Sequence, residues 1–153
     1  MASHPSDHDA FGELADLLLN VGRLVRSRTP AEADGVPLNE TERTVMRMVD
    51  LFPGASPSDI AERGRLQRSN VSAALRTLEE KGMVDRSSTS GRGVAVHTTP
   101  LAMDNLAALR DAWARELAVP LADDVDDVRQ CVALLARLEV RLIGAEHPRE
   151  QPT

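Results

Sequence analysis

Apolar residues recur along this chain at the three- and four-residue spacing of helices, and one short stretch alternates instead. Phe11, Leu14, Leu18, Val21 and Val25 mark a first helix over residues 8–27. Leu17 and Leu24 widen its stripe beyond what one buried face needs, so this helix is expected to be covered on two sides. Thr29-Pro30 ends it, and residues 29–37 read as a loop. Asn39 followed by Glu42 is a capping box that opens a second helix running to about Phe52. Its inner face is Val45, Met48, Val49 and Phe52, and Pro53-Gly54 stops it.

A third, short helix has Ser56 as cap, Pro57 at the first helical position and Asp59 near the positive end of the dipole. It ends around Arg63-Gly64. A fourth runs from about Gln67 to Lys81, with Val71, Leu75 and Leu78 turned inward and Ser69, Asn70, Ser72, Ala73 and Arg76 turned outward. Gly82 is placed to close it in a left-handed turn. Met83-Val84-Asp85-Arg86 then reads as a strand. Val94-Ala95-Val96-His97-Thr98 is its partner, with Val94 and Val96 on one face and Gly91 and Gly93 at the bend. A long fifth helix from Thr99-Pro100 to about Val119 has Leu106, Leu109, Trp113 and Leu117 as inner positions, and Pro120 breaks it. Asp123, Asp124, Asp126 and Asp127 lead a sixth helix, where the dipole favours acids. Val128, Val132, Leu135, Leu138 and Leu142 form its stripe, close to a heptad rhythm.

Composition narrows the class. The 153 residues allow one domain with helical extensions, and 42% are hydrophobic, enough for a real core. Aromatics are only 2%, so Leu, Val, Ala and Met must fill it. One cysteine excludes an internal disulfide framework and fits a reducing cytoplasm. No stretch approaches the roughly 18 apolar residues of a membrane span, so a cytoplasmic protein is expected. The formal net charge of −6 argues against a nonspecific nucleic-acid coat. Its distribution says more. Residues 63–78 hold Arg63, Arg65, Arg68 and Arg76 and no acid, whereas residues 101–130 hold seven acids and three arginines. Lys81 is the single lysine, so nearly all positive charge is the planar fork suited to phosphate and guanine, although codon bias is the better explanation of that preference.

The stretch from Ser56 to Thr99 therefore reads as a helix-turn-helix followed by a two-stranded wing. Short polar side chains at the start of a helix can meet base edges or phosphates while the backbone stays close. Ser69, Asn70, Ser72 and Ala73 are such residues, and Arg76 lies one turn on. Arg65 and Arg68 are placed to clamp phosphates, and Arg92 at the wing tip to enter the minor groove. Arg86 joins them on the first strand.

The run Asp59-Ile60-Ala61-Glu62-Arg63, then Arg68-Ser69-Asn70-Val71-Ser72, then Leu75 through Val84, resembles the third helix, recognition helix and wing entry of the MarR family of bacterial transcription regulators. The resemblance covers nearly the whole chain. It implies a mainly α fold with a small β wing, six helices with the hairpin between the fourth and fifth. It divides the chain into an N-terminal dimerisation helix and loop (1–37), a winged helix-turn-helix (38–99), C-terminal dimerisation helices (100–145) and a loose tail (146–153). It also implies a homodimer, a repressor role on a palindromic operator of double-stranded DNA, and release by a small aromatic or phenolic ligand, with no cofactor and no metal. Phe11, Leu14, Leu18, Val21, Val128, Val132, Leu135, Leu138 and Leu142 are the expected dimer contacts, in agreement with the two-sided first helix and heptad-like last one. Three positions depart from the family pattern. Gly64-Arg65 stands where Leu-Gly is common, Ser90-Gly91 precedes Arg92 where an Asp is usual, and Leu101-Ala102 stands where a Gly is common.

Several residues carry two readings. Ser69, Asn70 and Ser72 also serve as capping residues; Arg76 also fits an ion pair with Glu80; Arg92 also fits a solvated loop. His4 and His8 are a metal pair or part of a mobile tail. Cys131 is a redox switch or, better, a small core residue. Trp113 lines a ligand pocket or packs in the core, and His97 is a half-exposed strand residue. At the level of the whole protein, the acidic balance keeps open a winged-helix dimer that binds protein and not DNA. An enzyme is not expected, because no phosphate-cradling Gly loop, zinc-spaced Cys/His set or nucleophile elbow occurs.

Overall fold

The computed structural model describes residues 6–30, 35–88, 91 and 93–144. Its elements follow the order α1 (Asp7–Arg28), α2 (Glu40–Leu51), α3 (Pro57–Gly64), α4 (Arg68–Glu80), β1 (Val84–Ser88), β2 (Val94–Thr98), α5 (Pro100–Ala118) and α6 (Val125–Gly144). The starts are set by side chains that satisfy otherwise orphaned amides. Asn39 accepts from the Glu42 amide while Glu42 accepts from the Asn39 amide, each at 2.9 Å. Ser56 and Asp59 repeat the arrangement at α3. Ser6 and Asp9 repeat it at α1, a box the sequence reading did not identify. Gln67 is the residue before α4 rather than its first turn.

The turn after α3 explains the Gly64-Arg65 departure. Arg65 has φ 52° and ψ 40°, and it alone among described non-glycine residues has positive φ. Leu66 N donates to Ala61 O at 2.9 Å and Arg65 N to Glu62 O at 3.2 Å, the paired bonds of a Schellman ending. A glycine would hold that left-handed conformation without steric cost. Here the glycine stands one residue too early, and Arg65 takes the position instead. Gly82, by contrast, meets its expectation with φ 71°, and its carbonyl accepts from Thr99 Oγ1 at 2.7 Å.

β1 and β2 pair antiparallel with Val84 opposite Thr98 and Ser88 opposite Val94. The first strand is thus two residues longer than expected at its far end. Val96 is fully buried, but Val94, on the same face, lies beyond the core and is exposed. The other edge of β2 is also used: Gly54 N donates to Val96 O at 2.9 Å, and Val96 N to Ala55 O at 3.1 Å. The α2–α3 connection therefore fastens the wing to the helices.

The core lies between α2 and β2. Val45, Val49, Ile60, Val71, Leu75, Leu78 and Val96 have no exposed surface, and Met83 and Val84 almost none. Ala102 of α5 packs with them. Phe52, expected on the inner face of α2, instead ends that helix half-buried, with the Arg63 guanidinium 4.1 Å from its ring centre. In α5 the buried positions are Ala102, Leu109 and Ala112; Leu106 and Trp113 are half-buried and Leu117 is exposed. The helix lies close to its neighbours along its alanines, which moves its inner face off Leu117. No described residue of α1 or α6 is buried. Cys131 is accordingly exposed, not a core residue, because no described residue covers that side of α6. No helix among the described residues is long and apolar enough to cross a membrane.

Glu42 is 3% exposed and would be costly to bury alone. Lys81 Nζ donates to its Oε2 and to Pro37 O, both at 2.8 Å. Burial pushes the Glu42 carboxyl up, but the Lys81 hydrogen bond, the Asn39 amide and the Lys81 and Arg43 charges outweigh it, leaving the group below its ordinary value. The single lysine thus ties the end of α4 to the start of α2.

Candidate nucleic-acid interface

Helix α4 divides cleanly. Val71, Ala74, Leu75 and Leu78 are buried, and Arg68, Ser69, Asn70, Ser72, Ala73 and Arg76 are all exposed. Positions 69, 72, 73 and 76 recur at helical spacing, so they form one outward strip. The first turn of α4 differs from those of its neighbours. Side chains cap α1, α2, α3 and α5, whereas Gln67 makes no capping bond and the first turn of α4 holds no acid. Its free amides and positive dipole end meet solvent beside Arg68, which suits an anion. Arg68 and Arg76 have no carboxylate partner among the described residues, so Arg76 does not take the Glu80 pairing.

The other described arginines of this segment, all exposed, make contacts within the chain. Arg86 Nε lies 3.3 Å from Glu79 Oε2, which ties the first wing strand to the end of α4. Arg65, expected on phosphate, donates from Nη2 to Leu142 O at 3.0 Å, at the negative end of α6. Arg63 is held over Phe52. Arg92 lies outside the described residues, as do His4 and the tail from Glu146. His97 is exposed. Among the described residues no group of His, Cys, Asp and Glu could hold a metal ion.

Two cavities flank α2, and neither was visible in the sequence beyond the Trp113 alternative. One, of about 340 Å³, lies between α2, the base of the wing and α5. Met46, Leu106, Leu109 and Trp113 line it together with the guanidinium-bearing Arg43, Arg47 and Arg110. Trp113 Nε1 donates to Thr29 Oγ1 at 3.0 Å, so the ring is held at the cavity wall. The other, of about 680 Å³ and more open, brings Leu18 of α1 to Val132, Leu135, Leu138 and Leu142 of α6. Between α2 and α6, Arg47 Nε and Nη2 grip Glu139 Oε1 and Oε2 at 2.8 and 2.5 Å. The Arg47 hydrogen bond holds the Glu139 carboxyl below its ordinary range against a smaller upward push from burial.

Of the expected dimer residues, Phe11, Leu18, Val21, Val132 and Leu142 are exposed, and Leu14, Val128, Leu135 and Leu138 are half-buried. Leu17, Leu19, Leu24, Leu134 and Val140 add to the exposed apolar surface of the same two helices.

Comparison with known proteins agrees with this arrangement. A family model described as MarR family matches residues 34–93, from the loop before α2 into the wing. The HTH-type transcriptional repressor Rv2887 of Mycobacterium tuberculosis is 32% identical over 111 residues, covering 69% of this chain and 80% of the relative. A Mycobacterium bovis repressor matches to the same extent. A crystal structure of the M. tuberculosis MarR family protein Rv2887, in complex with p-aminosalicylic acid, superposes with a TM-score of 0.58 at 28% identity, over 82% of this chain and 97% of that one. A MarR family structure from Bacillus stearothermophilus has the same fold, with a TM-score of 0.67 at 15% identity over 89% of this chain and 99% of that one. With six helices, a two-stranded wing and an outward polar recognition strip in the same order, the chain belongs to the MarR family of DNA-binding transcriptional regulators.

Proposed function

We propose that this chain is a homodimeric repressor that reads a palindromic operator and is released by a small anionic aromatic ligand. The observation that carries the DNA reading is α4 itself: its outer strip is polar and exposed, and its first turn is left open while α1, α2, α3 and α5 are capped. Ser69, Asn70, Ser72, Ala73 and Arg76 enter the major groove, Arg68 holds phosphate, Arg86 braces the wing and Arg92 takes the minor groove. Arg65 serves as a positioning residue through Leu142 rather than on the duplex. Winged helix (38–99) and helical extensions (1–37 and 100–145) then divide reading from pairing.

The unburied apolar faces of α1 and α6 support pairing with a second copy, since monomers rarely leave so many large apolar side chains together. The cavity between α2 and α5 supports a ligand with a flat apolar body and a negative group, from its leucine, methionine and tryptophan walls and the Arg43, Arg47 and Arg110 side chains among its lining. The p-aminosalicylic acid bound by the M. tuberculosis relative is a molecule of that kind.

The test is selection of bound sequences from a random DNA pool with the full chain, followed by a salt series on the selected site. A palindrome with half-sites about 10 base pairs, or a multiple, apart is expected, with affinity falling steeply as salt rises. Arg76→Ala should cost about 1–3 kcal/mol at one base position, and Arg68→Ala should weaken all sites alike and flatten the salt slope. No binding to any pool at low salt would instead favour the protein-interaction module that the net charge of −6 suggests.

A further inference from the structure

Arg47 is the one described residue that lines both cavities. Glu139 belongs only to the cavity against α6, and Asp50 only to the cavity against α5. Glu139 holds Arg47 through two hydrogen bonds; Asp50 holds it through one, from Nη1 at 3.4 Å. A guanidinium presents its donors in one plane and pairs best with a single carboxylate edge. An anion entering the α2–α5 cavity competes for that edge. The competition is close to balanced, because Arg47 and Glu139 are each about a third or more exposed, and ion pairs in contact with water are weak. The Arg65 bond to Leu142 O and the packing of Ile143 on the core also join α6 to the winged helix.

We propose that Arg47 is an exchange point: a carboxylate-bearing aromatic in the α2–α5 cavity takes the guanidinium from Glu139, so that filling this cavity loosens α6 from the winged helix. The inference rests on the ligand reading of the cavity above and adds the residue through which occupancy reaches the helical arm. No bond is made or broken covalently; one ion pair is traded for another, and Glu139 is left to water. Arg43 and Arg110 add positive charge to this cavity, but neither lines the cavity against α6. Linkage requires the converse effect: weakening the Glu139 pair must tighten the anion, and must not tighten a neutral aromatic of the same shape.

The experiment is calorimetric titration of the full chain with benzoate and with benzamide, for the wild type, Glu139→Gln and Asp50→Asn. Glutamine keeps the side-chain length at a half-exposed site, and circular dichroism checks that each variant is folded. Glu139→Gln is expected to bind benzoate about two- to fivefold tighter, with benzamide unchanged. Asp50→Asn is expected to gain less, although Asp50 lines the cavity and Glu139 does not. A gain in Asp50→Asn as large as in Glu139→Gln would mean a plain charge effect and would overturn the exchange. An equal gain for benzamide would mean a looser cavity and would overturn it too. If both probes bind the wild type and Glu139→Gln changes nothing, the exchange alone fails and the ligand cavity stands. If neither probe binds any form, the cavity reading fails and the exchange with it.

Discussion

Helices α4 and α6 are both amphipathic and both carry a regular apolar stripe, yet α4 hides its stripe completely and no described residue of α6 is fully buried. Val71, Leu75 and Leu78 find α2, α3 and the wing within the same chain. Val132, Leu134, Val140 and Leu142 find solvent or a shallow cavity beside α1. A stripe records only that a face wants to leave water. Whether the covering surface comes from the same chain or from another copy is a matter of which elements reach it. The winged helix covers its own apolar faces, whereas among the described residues those of α1 and α6 stay largely open.

Substitutions can break or sharpen that contrast. Leu75→Ala empties the centre of the core and is expected to cost about 2–5 kcal/mol in urea unfolding, independent of chain concentration. Lys81→Met strands the buried Glu42 and should cost about 1.5–3 kcal/mol at neutral pH. Its pH dependence has a definite sign. Because the folded Glu42 carboxyl lies below its ordinary value, its contribution is complete above the unfolded value and vanishes as pH falls through the folded one. The cost of Lys81→Met, followed by unfolding from neutral into the acid range, should therefore shrink; a cost that stays level would show the lysine acting through packing alone.

Helix caps give a finer contrast inside the winged helix. Ser56→Ala removes the α3 cap and should lower stability by about 1 kcal/mol in the same assay. Gln67→Ala, at the uncapped start of α4, should change it far less, since no capping bond is lost. Smallest in its effect on the isolated fold is Leu18→Ala, at a side chain already 38% exposed. Its expected signature is different in kind: weaker self-association in sedimentation, and a melting midpoint that depends on chain concentration. An unchanged association constant would remove α1 from the pairing surface.

Much of the fold was legible because local signals agreed with one another. The Asn39–Glu42 box, the Ser56 cap, Pro57, Gly82 and Pro120 each act within one or two turns, and every one appears where its chemistry requires. The outward strip of α4 was legible for the same reason, since helical spacing alone separates Ser69 and Arg76 from Val71 and Leu75. Other features depend on distance along the chain. Arg65 bonds the carbonyl of Leu142, 77 residues away, a contact that its own neighbourhood does not announce. Phe52, Leu117 and Cys131 were assigned to the interior on periodicity, which cannot say where a neighbouring helix ends. The Ser6–Asp9 box was overlooked beside the two histidines.

The sequence by itself determined the order and ends of the helices, the wing, and the polar face of α4, because caps, breakers and periodicity are interactions among residues a few positions apart. Tertiary structure alone decided that Arg47 meets Glu139 across 92 residues, that Lys81 neutralises Glu42, and that a cavity opens between α2 and α5 around Trp113. Those outcomes depend on how whole helices cross, and helix crossing is set by the summed shapes of many side chains, a quantity no short stretch of chain contains.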